Sequence, residues 1–243
     1  MDKEEVLAVF PTLGHLTYIL DATMLRPEAS EEEYIQFLRQ AADARFRAVF
    51  VPLYYLPMAR MELRGSGVTL GAPIGFPFGY ECVDVKKADA VFALQQGATE
   101  LDMVINISAL RSGRLERVRE EIAAVVGLAR RYDAGRGEGH VVVKVILETC
   151  YLDREQMRQG ALAAMEAGAD FVKTSTGFGP RGATVDEVAF LREVVGPGFG
   201  VKASGGIRTL AQVVEMVRAG ANRIGTSAAY TILEEYMHLV PWK

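Results

Sequence analysis

The chain has 243 residues, 50% of them hydrophobic and 24% charged, with a formal net charge of −4. That is ordinary globular composition, in a length that suits one large α/β domain as well as two small ones. The acidic balance argues against nucleic-acid binding, which draws on a basic face, and charged residues break every apolar run before it could cross a bilayer.

Met1-Asp2-Lys3-Glu4-Glu5 is acidic and amphipathic rather than signal-like, and opens a helix over roughly Lys3 to Phe10. A unit then recurs: a short apolar run, a polar or glycine loop, an amphipathic helix. Leu16 to Leu20, ending at Asp21, reads as the first strand, and Ser30 with Glu33 three residues on is a capping box opening the next helix. Ala48 to Val51 is the second strand, with a helix through Ala59 to Leu63 after it. Val68 to Ile74 is the third, followed by the loop Gly75-Phe76-Pro77-Phe78-Gly79 and a helix from Val83 to Gln95.

Glu100 to Ile105 is the fourth strand and Leu115 to Arg130 a long helix. Gly135-Arg136-Gly137-Glu138-Gly139 then reads as a flexible connection, because it lacks the preceding strand that a dinucleotide fingerprint requires. Val141 to Leu147 is the fifth strand, with a helix from Asp153 to Gly168. Phe171 to Lys173 is the sixth, with a helix from Val185 to Val194. Gly200 to Ala203 is the seventh, with a helix from Thr209 to Ala219. Arg223 to Gly225 is the eighth, and a closing helix runs from Ala228 to about Tyr236. Eight such units without a composition break predict one domain over residues 1–243, a single (β/α)8 TIM barrel with a short N-terminal helix. The alternative is an open doubly wound sheet. Continuous apolar strands such as Val141-Val142-Val143 suit a parallel sheet buried on both faces.

Cys82 and Cys150 are too few for a disulfide framework and lack metal-ligand spacing, so they read as reduced thiols of a cytoplasmic protein; His15, His140 and His238 are dispersed, and no metal is called for. The basic residues are more telling. Only seven of the 27 are lysine, yet Lys144, Lys173 and Lys202 lie inside or at the end of apolar runs. Arginine cannot shed its proton to become an amine nucleophile, whereas lysine can. In Asp170-Phe171-Val172-Lys173-Thr174-Ser175-Thr176-Gly177 a buried strand runs into a lysine and then into a loop able to bend tightly. A lysine there is costly unless paired or lowered in pKa, and a partly neutral lysine can form a Schiff base with a carbonyl.

In a barrel, residues at the C-terminal ends of strands face one mouth. Asp21, Asp102, Lys144, Lys173 and Lys202 are expected at such ends. A lone strand-end charge is as readily a satisfied ion pair; five converging on one mouth point to a site. Lys202, one strand over, is the natural cation to lower Lys173. Asp102 suits proton shuttling and can also serve as counter-ion to Lys144 or Lys202, with Lys144 in a supporting role. Ser204-Gly205-Gly206 after the seventh strand and Gly225-Thr226-Ser227 before the last helix stand where barrels bind phosphate, and Gly177 in the loop after Lys173 faces the same end.

These stretches, with Ile19-Leu20-Asp21-Ala22-Thr23, Ile74-Gly75-Phe76-Pro77, Glu100-Leu101-Asp102-Met103-Val104, Lys144-Val145-Ile146-Leu147-Glu148-Thr149 and Lys202 to Thr209, make the chain resemble the class I deoxyribose-phosphate aldolase family along nearly its whole length. The resemblance implies reversible cleavage of 2-deoxy-D-ribose 5-phosphate into acetaldehyde and D-glyceraldehyde 3-phosphate. It implies no metal or cofactor beyond a covalent Schiff base, and a homodimer or higher homo-oligomer. It assigns Lys173 as the Schiff-base lysine, Lys202 as the lysine that perturbs it, Asp102 as the proton-relay acid, and Asp21 as an acid supporting the relay and binding a substrate hydroxyl. Lys144 and Thr174 are expected as supporting residues, and Gly177, Ser204, Gly205, Gly206, Gly225, Thr226 and Ser227 are expected to bind phosphate.

The chain departs from the family pattern at several places. Ala22 replaces a frequent histidine and Phe50 a frequent cysteine. Gly179-Pro180-Arg181-Gly182 is altered, with Arg181 a further candidate phosphate contact, and the tail Val240-Pro241-Trp242-Lys243 lacks a match to the terminal tyrosine of longer relatives. Two other readings stand beside this one: a related aldolase with a different aldehyde acceptor, and a phosphosugar-binding barrel without turnover. A phosphosugar isomerase is weaker, since its proton transfers need no lysine nucleophile.

Overall fold

The eight apolar runs form eight parallel strands. In the computed structural model, which describes residues 2–136 and 139–240, they close into a barrel in chain order, the last pairing with the first. The strands are β1 (Leu20–Thr23), β2 (Ala48–Phe50), β3 (Thr69–Ile74), β4 (Glu100–Val104), β5 (Val142–Ile146), β6 (Phe171–Lys173), β7 (Gly200–Ser204) and β8 (Arg223–Thr226). Closure leaves no open edge and rules out the doubly wound sheet.

Helices α1 (Lys3–Val9) and α2 (Leu13–Thr17) precede β1. The outer ring follows as α3 (Glu31–Ala44), α4 (Leu56–Glu62), α5 (Val83–Gln95), α6 (Ile107–Arg111), α7 (Leu115–Arg136), α8 (Arg154–Glu166), α9 (Val185–Val195), α10 (Leu210–Arg218) and α11 (Ala229–Leu239). Local signals start several of them. Ser30 caps α3 in a reciprocal box with Glu33, and Asp153 with Gln156 and Thr209 with Gln212 do the same for α8 and α10. Each box satisfies backbone donors that a helix start leaves orphaned. Among the described residues no helix is long and apolar enough to cross a membrane.

Two expectations are corrected. Leu16 and Thr17 belong to α2, where the Thr12 hydroxyl caps the His15 N–H; the first strand starts four residues later, in the register that pairs Asp21 with Ala48 and Gly225. The long helix after β4 continues to Arg136, so Gly135 and Arg136 are helical rather than part of a loop. The rest of the expected connection, Gly137 and Glu138, and the tail residues Pro241 to Lys243 lie outside the described residues.

Strand parity divides the interior in two. The apolar core between barrel and helices takes Leu101 and Met103 of β4, Val143 and Val145 of β5, Val172 of β6, Val201 and Ala203 of β7, and Ile224 of β8. The alternate positions hold Glu100, Asp102, Lys144, Lys173, Lys202 and Arg223, all buried. The inside of this barrel is therefore largely ionic.

Candidate active site

The register sets these charges side by side: Asp102 pairs with Lys144, Lys173 with Lys202, and Lys202 with Arg223. Asp102 is the hub. Its Oδ1 accepts from Lys144 Nζ at 3.0 Å, and its Oδ2 accepts from both Lys173 Nζ and Lys202 Nζ, each at 2.7 Å. Lys202 Nζ also lies 2.6 Å from Asp21 Oδ2, and Asp21 Oδ1 accepts from Arg223 Nε at 2.9 Å. Below them Glu100 accepts from Lys144 and Arg223. Four buried cationic side chains thus share three carboxylates, with the half-buried Arg47 lying 3.8 Å from Glu100 at the edge of the network.

Burial by itself would raise both acids, but nearby cations win. Lys144, Lys173 and Lys202 hold the Asp102 carboxyl well below its ordinary value, and Lys202, Arg223 and Lys144 lower Asp21. The cations part company. Burial takes Lys202 down to about 8 despite Asp102 and Asp21, with Lys173 and Lys144 pushing the same way. Lys144 is held up, burial being outweighed by Asp102, Glu100 and Asp21. Lys202 is thus itself a lowered amine. Gly225 makes its place: a Cβ there would come within 2.9 Å of Lys202 Cε.

A cavity of about 230 Å³ opens above this network at the C-terminal ends of the strands. Lys173, with its side chain 8% exposed, and Asp102 reach its wall; Lys202, Lys144 and Asp21, at 0%, do not. Only Lys173 of the five charges stands at a strand end, the others being mid-strand, so the expected ring of strand-end charges is a stack with one member at the mouth. Asp21 is correspondingly too deep for the substrate-hydroxyl contact expected of it.

All seven expected phosphate residues, Gly177, Ser204, Gly205, Gly206, Gly225, Thr226 and Ser227, line this cavity. Gly177, Gly205 and Gly206 hold φ of +90°, +84° and +76°, a left-handed backbone that other residues adopt at a cost. Glu148 ties the first loop down, accepting from the Thr176 N–H and hydroxyl, while the Phe178 N–H donates to Thr176 Oγ1 at 3.0 Å. The donor left between them is the Gly177 N–H. Thr174 clasps the next loop: its hydroxyl donates to the Ser204 carbonyl at 3.2 Å and lies 3.1 Å from the Ser204 N–H. It braces the backbone at Ser204.

Arg181 is a correction. Its guanidinium is spent on Glu187, at 2.9 and 2.6 Å, and is not part of the cavity wall. The altered loop matters through Gly182, where a Cβ would run into the Gly205 carbonyl. Sequence reasoning missed Arg26 and Arg208, which line the cavity and bring the cations an anion would meet, and Glu100 and Arg223, which anchor the network from below. Arg208 had a signal, since it follows Ser204-Gly205-Gly206-Ile207 directly. Glu100 and Arg223 sit at strand starts, where a charge reads as surface.

Comparison with known proteins places the chain in a family. Residues 22–233 match the model of the family described as DeoC/LacD family aldolase. The chain is 45% identical over 225 residues to a deoxyribose-phosphate aldolase of Caldanaerobacter subterraneus, covering 93% of this chain and 95% of that one. It is 48% identical over 217 residues to a deoxyribose-phosphate aldolase of Thermococcus kodakarensis, covering 88% and 94%. The structure is similar to that of the deoxyribose phosphate aldolase of Aeropyrum pernix, described as a unique tetramer, with a TM-score of 0.88 and 37% identity over 98% of this chain and 97% of that one.

Proposed function

The chain belongs to the DeoC/LacD family of aldolases, and on that premise we infer that it is a deoxyribose-phosphate aldolase working through a Schiff base on Lys173. The observation that carries the assignment is accessibility: of the three buried lysines around Asp102, Lys173 alone reaches the cavity wall. Residues 1–243 are read as one aldolase domain.

The neutral Lys173 amine adds to the C1 aldehyde of open-chain 2-deoxy-D-ribose 5-phosphate, and the carbinolamine loses water to give an iminium. Lys173 is made neutral by passing its proton along Asp102 Oδ2, which stands 2.7 Å from both nitrogens, to Lys202, the amine already lowered to about 8. Loss of the C3 hydroxyl proton then breaks the C2–C3 bond, whose electron pair flows into the iminium. D-Glyceraldehyde 3-phosphate leaves, and an enamine remains. Protonation at C2 and addition of water release acetaldehyde and restore the amine. The Asp102–Lys202 pair handles these protons within hydrogen-bond reach of the reacting nitrogen. The iminium is the electron sink, so the reaction as written uses no cofactor or metal.

The glycine turns at Gly177, Gly205 and Gly206, with Ser204, Gly225, Thr226 and Ser227, are read as the phosphate seat, with Arg208 and Arg26 as nearby cations. Asp21 and Lys144 hold the network and touch no substrate. The remaining expectations are a cytoplasmic, homo-oligomeric enzyme of deoxyribonucleotide breakdown that engages neither nucleic acid nor membrane. Light scattering on the purified chain tests the assembly.

The deciding experiment is borohydride trapping with acetaldehyde, followed by peptide mass mapping and a Lys173→Arg control. The expected result is a reduced adduct on Lys173, absent in the control, with cleavage of deoxyribose 5-phosphate by the unmodified enzyme. Absence of an adduct on every lysine would refute the reading and leave a phosphosugar-binding barrel.

A further inference from the structure

Phe50 ends β2 and sits inside the ionic barrel, 2% exposed, with its ring at the cavity wall. Its ring centre is 4.0 Å from Lys202 Nζ, 4.7 Å from Lys144 Nζ and 5.9 Å from Lys173 Nζ. The three ammonium positions are thus graded in distance from one aromatic ring, and the two nearest are the two that do not line the cavity. The neighbouring strand is cut to fit. Gly71 is the register partner of Phe50, and a Cβ at that position would run into the ring.

We propose that Phe50 is a positioning residue for the lysine pair: its π face carries part of the charge on Lys202, and its bulk screens Lys202 from the mouth so that a carbonyl meets Lys173 alone. The inference rests on the Schiff-base reading above and adds to it a reason for the choice between two amines that share one carboxylate oxygen.

The physics runs in two parts. An aromatic face attracts a cation within about 6 Å, more strongly where water is excluded. Lys202 has opposite charge from Asp21 and Asp102 on β1 and β4, and like charge from Lys144, Lys173 and Arg223 on β5, β6 and β8. Glu100 lies one layer below. The ring on β2 closes the remaining side with a weak negative pole instead of a fourth carboxylate. A carboxylate there would hold Lys202 fully protonated and end its use as a proton acceptor; an aliphatic wall would supply no attraction. The second part is steric. Removing the ring opens a path from the cavity to an amine that lies as close to Asp102 as Lys173 does.

Fluorinated phenylalanines separate charge from shape. Placing 4-fluoro-, 3,5-difluoro- and 3,4,5-trifluorophenylalanine at position 50 drains the π face stepwise while keeping the ring. The limb of the kcat/KM profile near pH 8 is expected to move to lower pH with each fluorine, by roughly 0.5–1 unit across the series. A limb that stays put would overturn the charge role. In Phe50→Leu, borohydride trapping with acetaldehyde is expected to give a second adduct on Lys202 beside that on Lys173; an adduct confined to Lys173 would overturn the screening role. If the unsubstituted enzyme gives no adduct at all, the Schiff-base reading itself fails, an outcome distinct from both.

Discussion

Replacing Lys173 and Lys202 by methionine, one at a time, asks whether the buried lysines are equivalent. Both bond Asp102 Oδ2 at 2.7 Å, and either replacement leaves three buried cations facing three carboxylates. A count of charges therefore predicts equal effects, whereas the geometry predicts unequal ones. Without Lys173, Asp102 keeps Lys202 at 2.7 Å and Lys144 at 3.0 Å, and the network loses its surplus cation. Lys173→Met is expected to change stability by no more than about 1 kcal/mol while abolishing the acetaldehyde adduct. Without Lys202, Asp21 Oδ2 loses its 2.6 Å partner and keeps only Lys144 at 3.8 Å, at a site fully shut off from the surface. Removing one member of such a buried pair costs about 3–5 kcal/mol. For a chain of this size that lowers Tm by roughly 6–20 °C. Thermal denaturation followed by circular dichroism at neutral pH reads both variants directly. Equal losses of Tm, or a Lys202→Met protein as stable as the parent, would show that the contacts around Asp21 do not govern the network and would refute the reasoning.

Four further outcomes are expected. Lys202, lowered in the folded state to about 8, binds its proton less readily than in the unfolded chain; stability should therefore rise as pH climbs from about 8 towards the unfolded lysine value near 10.4, and that rise should vanish in Lys202→Met. Asp102 and Asp21, lowered on folding, contribute stability that is present above the unfolded carboxylate value near 4 and lost as pH falls below it, which an acid titration of Tm reads. Arg208→Ala should raise KM for deoxyribose 5-phosphate by about 10–100-fold, the worth of a hydrogen bond to a charged group, and leave cleavage of unphosphorylated deoxyribose nearly unchanged; equal effects on both substrates would remove Arg208 from the phosphate seat. With Phe50 where many relatives carry a cysteine, the enzyme should keep its activity through prolonged exposure to acetaldehyde, whereas Phe50→Cys should lose it with time; rapid inactivation of the unsubstituted enzyme, relieved only by dilution, would count against this.

The eight units and the three lysines buried around Asp102 were legible because their signals are local. An apolar run before Lys173, a glycine pair after Ser204 and a capping box at Ser30 each lie within a few residues. What was not legible depends on closure. Arg223 and Glu100 are 123 positions apart and each begins a strand, so nothing nearby marks them as partners; only the closed sheet makes them the floor of the network. The same holds for depth. Asp21 and Lys202 look like strand-end residues until the strand bounds put them one layer down. The first strand was displaced because Leu16-Thr17-Tyr18-Ile19-Leu20 is apolar enough for either structure, and the cap at Thr12 gave the nearer half to a helix.

Lys202 and Lys173 also show why reading lysines one by one misleads. Between them stands a single oxygen, Asp102 Oδ2, equidistant from the two nitrogens. Four buried cations and three carboxylates leave the network with one proton more than it can hold cheaply, since an uncompensated charge inside a protein is disfavoured. At rest the deficit is expressed on Lys202, which is lowered to about 8, in a position no carbonyl can reach. The amine that can reach a carbonyl is Lys173, and a proton moving through the shared oxygen carries the deficit there. On this reading, nucleophilicity belongs to the charge imbalance of the barrel and not to Lys173 by itself. The strands contribute by fixing which lysine is hidden and which reaches the cavity wall.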